Sequence, residues 1–402
     1  MPAKRKVTAE ELARPTIPYE DARATILGAF TPLPPEEVAL RDALGVVIAE
    51  PVIADDDVPA FASSAMDGYA VRFEDVPLGS LHVIGDVPAG AANLPAVELG
   101  TAAKIMTGGP IPPGADTIVP WEDTDTRGDH IAITGEVRAG QHVRPRGEDV
   151  AAGTEVVPAH TLLRAVHLGV LASLGRTSAR AHRRPRVSLL SSGDEVVEPG
   201  SPLRHGQVYD ANRVLLRAMC TAAGASVSTA DLLPDDPEAL RAWLHDQAAR
   251  ADLIVSTGGA SVGEHDWMRA LLEEEGGLRL WRVAMKPGKP IAFARVDGTP
   301  VLGLPGNPGS AFTGTHAFVQ PAIRIMAGRE PDPPRVPARL GAAVRNGGRL
   351  LFCRVRLVGD VAHPLPAQSS VVLSNLIPAD GYALVAPGGM DSGAEVTVEL
   401  FG

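Results

Sequence analysis

From about Arg186 to Gly328 the chain alternates short apolar runs with helix-spaced stretches, and that alternation constrains the fold more than any other feature. Val187–Leu190 reads as a strand. Asn212–Ala223 reads as a helix with Val214, Leu215, Ala218, Met219 and Ala222 on one face and Gly224 at its end. Ser226–Leu233 reads as a second strand. Asp236 as N-cap and Pro237 at the first helical position then open a helix that turns Leu240, Trp243 and Leu244 inward. Leu253–Ser256 is a third strand, followed by a Gly-rich loop and a helix from Trp267. Ile291–Arg295 and Val301–Leu304 flank Asp297-Gly298, a residue pair suited to a two-residue hairpin turn, and a last helix follows Pro308. Such repetition packs as a mostly parallel, doubly wound sheet.

The chain of 402 residues exceeds what one hydrophobic core supports, so further domains are expected on either side. Tyr19–Phe30 has helical spacing, and after Pro32, Pro34 and Pro35 a second helix is expected to end near Gly45. From Pro51 to about Gly147 short Val/Ile runs broken by Gly, Pro and Asp indicate a small, turn-rich β domain. Thr161–Gly175 returns to helical spacing and is expected to pack on the first helices, which makes the β zone an insertion. After the linker PDPPRVP (331–337) the remainder reads as a small β domain. The expected boundaries are 1–53 with 147–184, 54–146, 185–329 and 330–402.

Composition excludes several classes. There is no apolar run of about 18 residues, so no membrane span is expected. The basic N-terminal stretch has no apolar segment behind it to make a secretory signal, and a cytoplasmic protein is expected. A net charge of −11, without a Lys/Arg block and with 4% aromatics, argues against nucleic acid as a partner. Cys220 and Cys353 stand far apart in apolar segments and are expected as buried free thiols. His82, His130, His142, His160, His167, His205, His245, His265 and His316 show no ligand spacing, and solvated or core histidines are the default; His265, between Glu264 and Asp266, is the one of interest.

In an open parallel sheet the loops leaving the carboxyl ends of the strands share one edge, where ligands bind. Four such exits carry unusual residues here: Gly193, Asp194 and Glu195; Asp235 and Asp236; the loop TGGASVGEHD (257–266), ending in Glu264 and Asp266; and Gly303, Pro305, Gly306, Asn307 and Pro308. Glycines admit phosphate oxygens to backbone N–H groups. Carboxylates beside a polyanion require a hard cation between them, and magnesium meets that need. MKPGKP (285–290) sets Lys286 and Lys289 in a stiff stretch, either as clamps for a second anion or as surface charges. Asp236 reads first as a helix cap, leaving Asp235 free to act, while Asp266 reads equally as cap or ligand. The adjacent Asp194 and Glu195 would point opposite ways on an extended chain, so one of them is expected to be structural.

The stretches SSAMDGYAV (63–71), IMTGGPIPPGADTIVPWEDT (105–124), RPRGEDV (144–150), SSGDE (191–195), GQVYDANR (206–213), LLPDDPEAL (232–240), STGGASVGEHD (256–266), MKPGKPIAF (285–293) and GLPGNPGSAF (303–312) closely resemble the bacterial MoeA family, which includes the gephyrin E domain and the plant molybdenum insertase. The resemblance runs from about residue 19 to the C-terminus, in order. It implies four domains: an elongated N-terminal region, an inserted β domain, a molybdopterin-binding α/β domain and a C-terminal β barrel-like domain. It also implies a homodimer in which the inserted domain of one subunit closes over the α/β site of its partner. By motif, Asp67 and Thr107 would come from the partner subunit, and Asp149 would lie near the interdomain hinge. Glu195, Asp235 and Asp266 would serve magnesium and phosphates, and Lys286 and Lys289 would hold molybdate or pterin phosphate. Gly193, Ser256, Gly258, Gly259, Ser261, Gly263, Arg282, Pro305, Gly306, Asn307 and Pro308 would complete the binding set, with Arg354 and Ser374 from weaker motifs in the last domain. The chain departs from the family pattern in SSGDE for STGDE, in Ala260 and Gly309, in Ala62-Ser63, and in Arg282, where Lys is common.

The reaction implied is insertion of molybdate into adenylylated molybdopterin with release of AMP. Two other readings compete. One is a gephyrin-like scaffold holding a cytoskeletal or membrane protein partner, against which the intact acid and lysine set speaks. The other is adenylyl transfer alone, against which the inserted MDGYA domain speaks. A molybdopterin-adenylylating enzyme is a further possible partner.

Overall fold

The spacing at Tyr19 is realised as helix α1 (Tyr19–Leu27), with Glu20 and Asp21 in the first turn, where carboxylates complement the helix dipole. The computed structural model describes residues 16–258, 267–278 and 282–401. The second expected helix is not one: Pro35–Ala39 is a strand and Leu40–Asp42 a single 3₁₀ turn. Pro34 and Pro35 account for this, because proline disfavours helical conformation in the residue before it and donates no helical hydrogen bond. The strand joins a three-stranded sheet with Ser178–His182 at its centre and Val47–Ile48 beyond.

The chain forms two compact units, the smaller comprising residues 39–44 and 50–179. Its sheet consists of β1 (Gly68–Val71), β2 (Ser80–Val87), β3 (Thr101–Ile105), β4 (Thr117–Pro120), β5 (Thr124–Arg127) and β6 (His130–Ile133), in the order β4-β1-β3-β2-β6-β5. The short Val/Ile runs alternate between two faces. Tyr69, Val71, Leu81, Ala102, Val119 and Ile131 form one core, and Ala70, Val87, Ala103, Ile105 and Ile118 another. Helix α2 (Ala165–Ser173) belongs to this unit and not with α1 as its spacing suggested. Leu163 and Leu171 are buried, and Arg176 donates to the Ile53 carbonyl and pairs with Asp55 at 2.7 Å, holding this stretch in the smaller unit.

In the larger unit the sheet is β7 (Arg186–Ser192), β8 (Ser226–Leu233), β9 (Leu253–Thr257), β10 (Ala292–Val296) and β11 (Thr299–Leu304), ordered β8-β7-β9-β11-β10. All pairings are parallel except β10–β11, the hairpin turning at Asp297 and Gly298, both with positive φ. Helices α3 (Ala211–Ala222), α4 (Pro237–Ala248), α5 (Trp267–Gly276), α6 (Pro308–Gly314) and α7 (Gln320–Met326) accompany the sheet. One core gathers α1 and α3 residues with Val187, Val255, Phe293 and Phe318; a second gathers Leu240, Leu244, Ile254, Met268 and Leu272.

The last strands are β12 (Arg335–Leu340), β13 (Leu350–Val358), β14 (Val361–Pro364), β15 (Gly381–Val385) and β16 (Glu395–Leu400). They pair in the order β13-β14-β12-β16-β15, and β15 returns to β13, closing a five-stranded barrel around Leu340, Cys353, Val355, Ala383 and Val398. Cys220 and Cys353 are buried free thiols. Among the described residues no helix is long and apolar enough to cross a membrane.

Candidate active site

The parallel order puts the exits of β7, β8, β9 and β11 at one sheet edge, and there they line a cleft of about 1270 Å³. Because β10 runs antiparallel to β11, with Ala292 opposite Gly303, the segment Lys286–Pro290 reaches the same edge. The cleft wall thus includes Gly193, Glu195, Asp235, Gly258, Lys286, Lys289 and Pro305–Pro308. The adjacent acids after β7 divide their work. Glu195 faces the cleft, while Asp194 accepts from the backbone N–H of Asp235 at 3.1 Å and ties two exits together. Asp236 caps α4, accepting from the N–H groups of Glu238 and Ala239.

Gly258 has a φ of +90°, and a Cβ there would lie 2.3 Å from the Ser192 carbonyl oxygen, so only glycine lets β7 and β9 approach at their exits. In the cleft wall, Asp210 caps α3: it accepts from the Arg213 N–H at 3.0 Å and the Ser191 hydroxyl at 3.1 Å, and pairs with the Arg213 guanidinium. Asn212 donates to Thr257 Oγ1 at 2.8 Å and to the Gly306 carbonyl at 2.7 Å, fastening the β9 and β11 exits to the start of α3.

The cationic residues also converge. Arg349, just before β13, lines the cleft and donates to the Met285 carbonyl at 3.3 Å, since Met285-Lys286 pairs with Leu350-Leu351. Burial first, then the charges of Arg282 and Arg349, holds the Lys289 ammonium below its ordinary pKa. The cleft therefore carries carboxylates on two strand exits and three cationic side chains on the segments entering β10 and β13.

Sequence comparison agrees with this geometry. A molybdopterin molybdenumtransferase of Haemophilus influenzae is 35% identical over 396 residues, covering 95% of this chain and 98% of that one. The chain belongs to the MoeA family. Family models match in sequence order: the MoeA N-terminal region (domain I and II) over residues 17–175, a probable molybdopterin binding domain over 188–325, and the MoeA C-terminal region (domain IV) over 337–401. Molybdopterin molybdenumtransferase 2 of Mycobacterium tuberculosis is 40% identical over 313 residues, covering 75% of this chain and 77% of that one. A crystal structure of a molybdopterin biosynthesis MoeA protein from Pyrococcus horikoshii superposes with a TM-score of 0.80 at 32% identity, and a second with 0.73 at 27%; each covers 96% of this chain and 100% of that one.

Within this MoeA-family chain the other expected site residues are dispersed. Asp67 and Thr107 meet each other in the smaller unit, where Thr107 donates from N–H and hydroxyl to Asp67 Oδ1. Asp149 lies in that unit too, its N–H bonded to the Val58 carbonyl. Ser256 does not line the cleft; it is buried inside β9, one residue short of the exit. Arg282 is buried and stands behind Lys289, its carbonyl bonded to the Ile17 N–H, and so acts on the cleft through charge. Arg354 does not line it either. Its buried guanidinium holds the Val372 carbonyl and Asn375, and its backbone holds Gln368, so it supports the loop whose Ala367–Ser370 form the far wall. Ser374 is exposed at the start of a 3₁₀ turn in that loop. Gly259, Ser261, Gly263 and Asp266 lie outside the described residues.

One departure from the family pattern has a structural reason. A Cβ on Gly309 would lie 2.3 Å from the Arg354 guanidinium and 2.7 Å from the Ser370 carbonyl, so glycine suits this packing of the loop. Sequence reasoning passed over Asp210 and Asn212 although it recognised GQVYDANR, and it passed over Arg349, which sits in no recognised motif.

Proposed function

We propose that this chain is a molybdopterin molybdenumtransferase: molybdate and adenylylated molybdopterin enter the cleft, and molybdenum cofactor and AMP leave it. The observation that carries this reading is the pairing, in one cleft, of Glu195 and Asp235 with Lys286, Lys289 and Arg349. The ammonium groups and guanidinium suit a tetrahedral oxyanion, the guanidinium as a planar fork and the ammonium groups as point charges. Gly193, Gly258 and Gly306 let the phosphate-bearing part of the substrate approach the backbone. Asp194 and Asn212 keep the exits at fixed separation, so the binding groups are arranged before substrate arrives.

The donor set fits magnesium: Glu195 and Asp235 offer hard oxygens, and among the described residues no His or Cys lines the cleft. Bound there, magnesium would neutralise phosphate charge. Asp266 would join Glu195 and Asp235 in holding it.

By the family resemblance the functional unit is a homodimer, with Asp67 and Thr107 delivered to the cleft of the other copy. In the smaller unit Met66 and Met106, next to Asp67 and Thr107 in sequence, are exposed, as is Trp121, whose N–H donates to the Asp67 carbonyl, an apolar surface suited to being covered. Nothing in the similarities favours the scaffold reading.

The test is AMP release from adenylylated molybdopterin by the purified protein, with and without molybdate. Release that requires molybdate and yields active cofactor is expected. ATP consumption, or release indifferent to molybdate, would overturn the reading.

A further inference from the structure

We propose that the smaller unit carries a site for a zinc-type divalent cation, built from His82, Asp129 and His130. The three residues show no ligand spacing in sequence; strand register makes the cluster. On β2 and β6, His82 lies opposite His130 and Leu81 opposite Ile131. The Val83 N–H donates to the Asp129 carbonyl at 2.7 Å, so Val83–Asp129 is a hydrogen-bonded pair and His82–His130 the adjacent non-hydrogen-bonded one, where side chains come closest. Leu81 and Ile131 are buried on one face of the sheet, and His82 and His130 are exposed. Their ring centroids are 5.0 Å apart.

The third donor comes from the turn between β5 and β6. Gly128, with a φ of +63°, reverses the chain so that the Asp129 carboxylate reaches both imidazoles. Asp129 Oδ1 is 2.8 Å from His130 Nδ1, and Oδ2 is 3.6 Å from His82 Nδ1. One donor atom from each residue lies within 4.8 Å of the other two, and among the described residues no other trio of His, Cys, Asp or Glu meets that condition. Tetrahedral zinc, with bonds of about 2.0–2.1 Å, needs donors roughly 3.3 Å apart, so small side-chain rotations suffice.

Two imidazoles and one carboxylate select a borderline cation such as zinc, cobalt, nickel or copper over magnesium. The site is therefore chemically distinct from the all-oxygen cleft. Three protein donors leave at least one position to water or a further ligand. A bound ion would bolt the outermost hairpin, β5–β6, onto β2.

The experiment titrates the metal-free full-length protein with cobalt(II) in excess magnesium, following the visible absorption of the bound ion and competing it off with zinc. One equivalent is expected in the wild type, none in the doubly substituted H82N/H130N protein, and binding weakened at least tenfold in Asp129→Asn. All three residues are exposed, so the metal-free melting temperatures of these variants should match the wild type. AMP release should be unchanged. Failure of the wild type to take up cobalt, or undiminished uptake by the H82N/H130N protein, would overturn the proposal.

Discussion

Thr107 presents both its backbone N–H and its hydroxyl to a single oxygen, Asp67 Oδ1, at 2.7 and 2.8 Å. The backbone bond first, then the hydroxyl bond, holds the Asp67 carboxyl below its ordinary range. The group is thus a fixed anion at neutral pH, suited to positioning and not to donating a proton. If it serves the cleft of the second copy, two inactive proteins should complement each other. Mixing Asp67→Ala with Asp235→Asn subunits under exchange conditions should restore about a quarter of wild-type activity, since half the dimers are mixed and each has one intact site. No recovery, despite demonstrated subunit exchange, would assign Asp67 to the cleft of its own chain or to neither.

Glu195 and Asp235 occupy separate strand exits, which the Asp194 bond to the Asp235 N–H ties together. Each isosteric amide removes one negative charge while leaving shape nearly unchanged. Removing a preorganised charged group costs roughly 3 kcal/mol of transition-state stabilisation, so Glu195→Gln and Asp235→Asn should each slow molybdate-dependent AMP release by about a hundredfold. Higher magnesium should recover part of the loss. Full turnover in either amide would remove that residue from the site.

Arg349 separates anion binding from loop support, because it reaches the cleft whereas Arg354 does not. Arg349→Ala should raise the KM for molybdate by about tenfold with a smaller effect on kcat, the expected mark of lost ground-state binding. The Lys289 ammonium is held low by burial and by Arg282 and Arg349, so removing Arg349 should also raise the Lys289 pKa. The alkaline limb of the molybdate KM profile should therefore move to higher pH in the variant. An unmoved limb would mean that another group sets it.

The parallel sheet was legible because apolar periodicity and cap residues record it: Asp236, Pro237 and the Asp297-Gly298 turn all act as read. The face of α3 was not. Of the residues read as its inward face Met219 is buried, but Val214 is 60% exposed and Ala218 and Ala222 are exposed too, while Leu216 and Cys220 are buried. The buried side is the row Leu216, Cys220 and Ala223, packed in the core with Val187 and Val255. The bonds of Asp210 and Asn212 to the strand exits hold the same rotation through partners distant in sequence. Arg349 was invisible for the same kind of reason, since it reaches the cleft only through the pairing of Met285 with Leu350. That Glu195, Asp235, Lys286 and Lys289 share one cleft wall was legible because the acids follow strand ends that are local features and the motifs carrying all four are long.

Outside the cleft, the entry to the sheet should be sensitive to acid through Asp252. This carboxylate, at the start of β9, receives both Arg183 nitrogens at 2.7 and 2.8 Å and the Arg186 N–H at 2.7 Å. Burial pushes its carboxyl up, but the bonds from Arg183 and Arg186 outweigh that and leave it at about 2. The folded-state value lies below the unfolded one, so the stabilisation is fully present above pH 4 and is lost as pH falls toward about 2. After allowance for partial solvent screening the contribution is on the order of 1–2 kcal/mol. Asp252→Asn should therefore lower the melting temperature by several degrees at pH 7. The gap to wild type should narrow steadily between about pH 4 and pH 2, because the wild-type carboxylate is then neutralised as well. A gap that stays constant over that range would mean that the loss came from packing and not from the ion pairs.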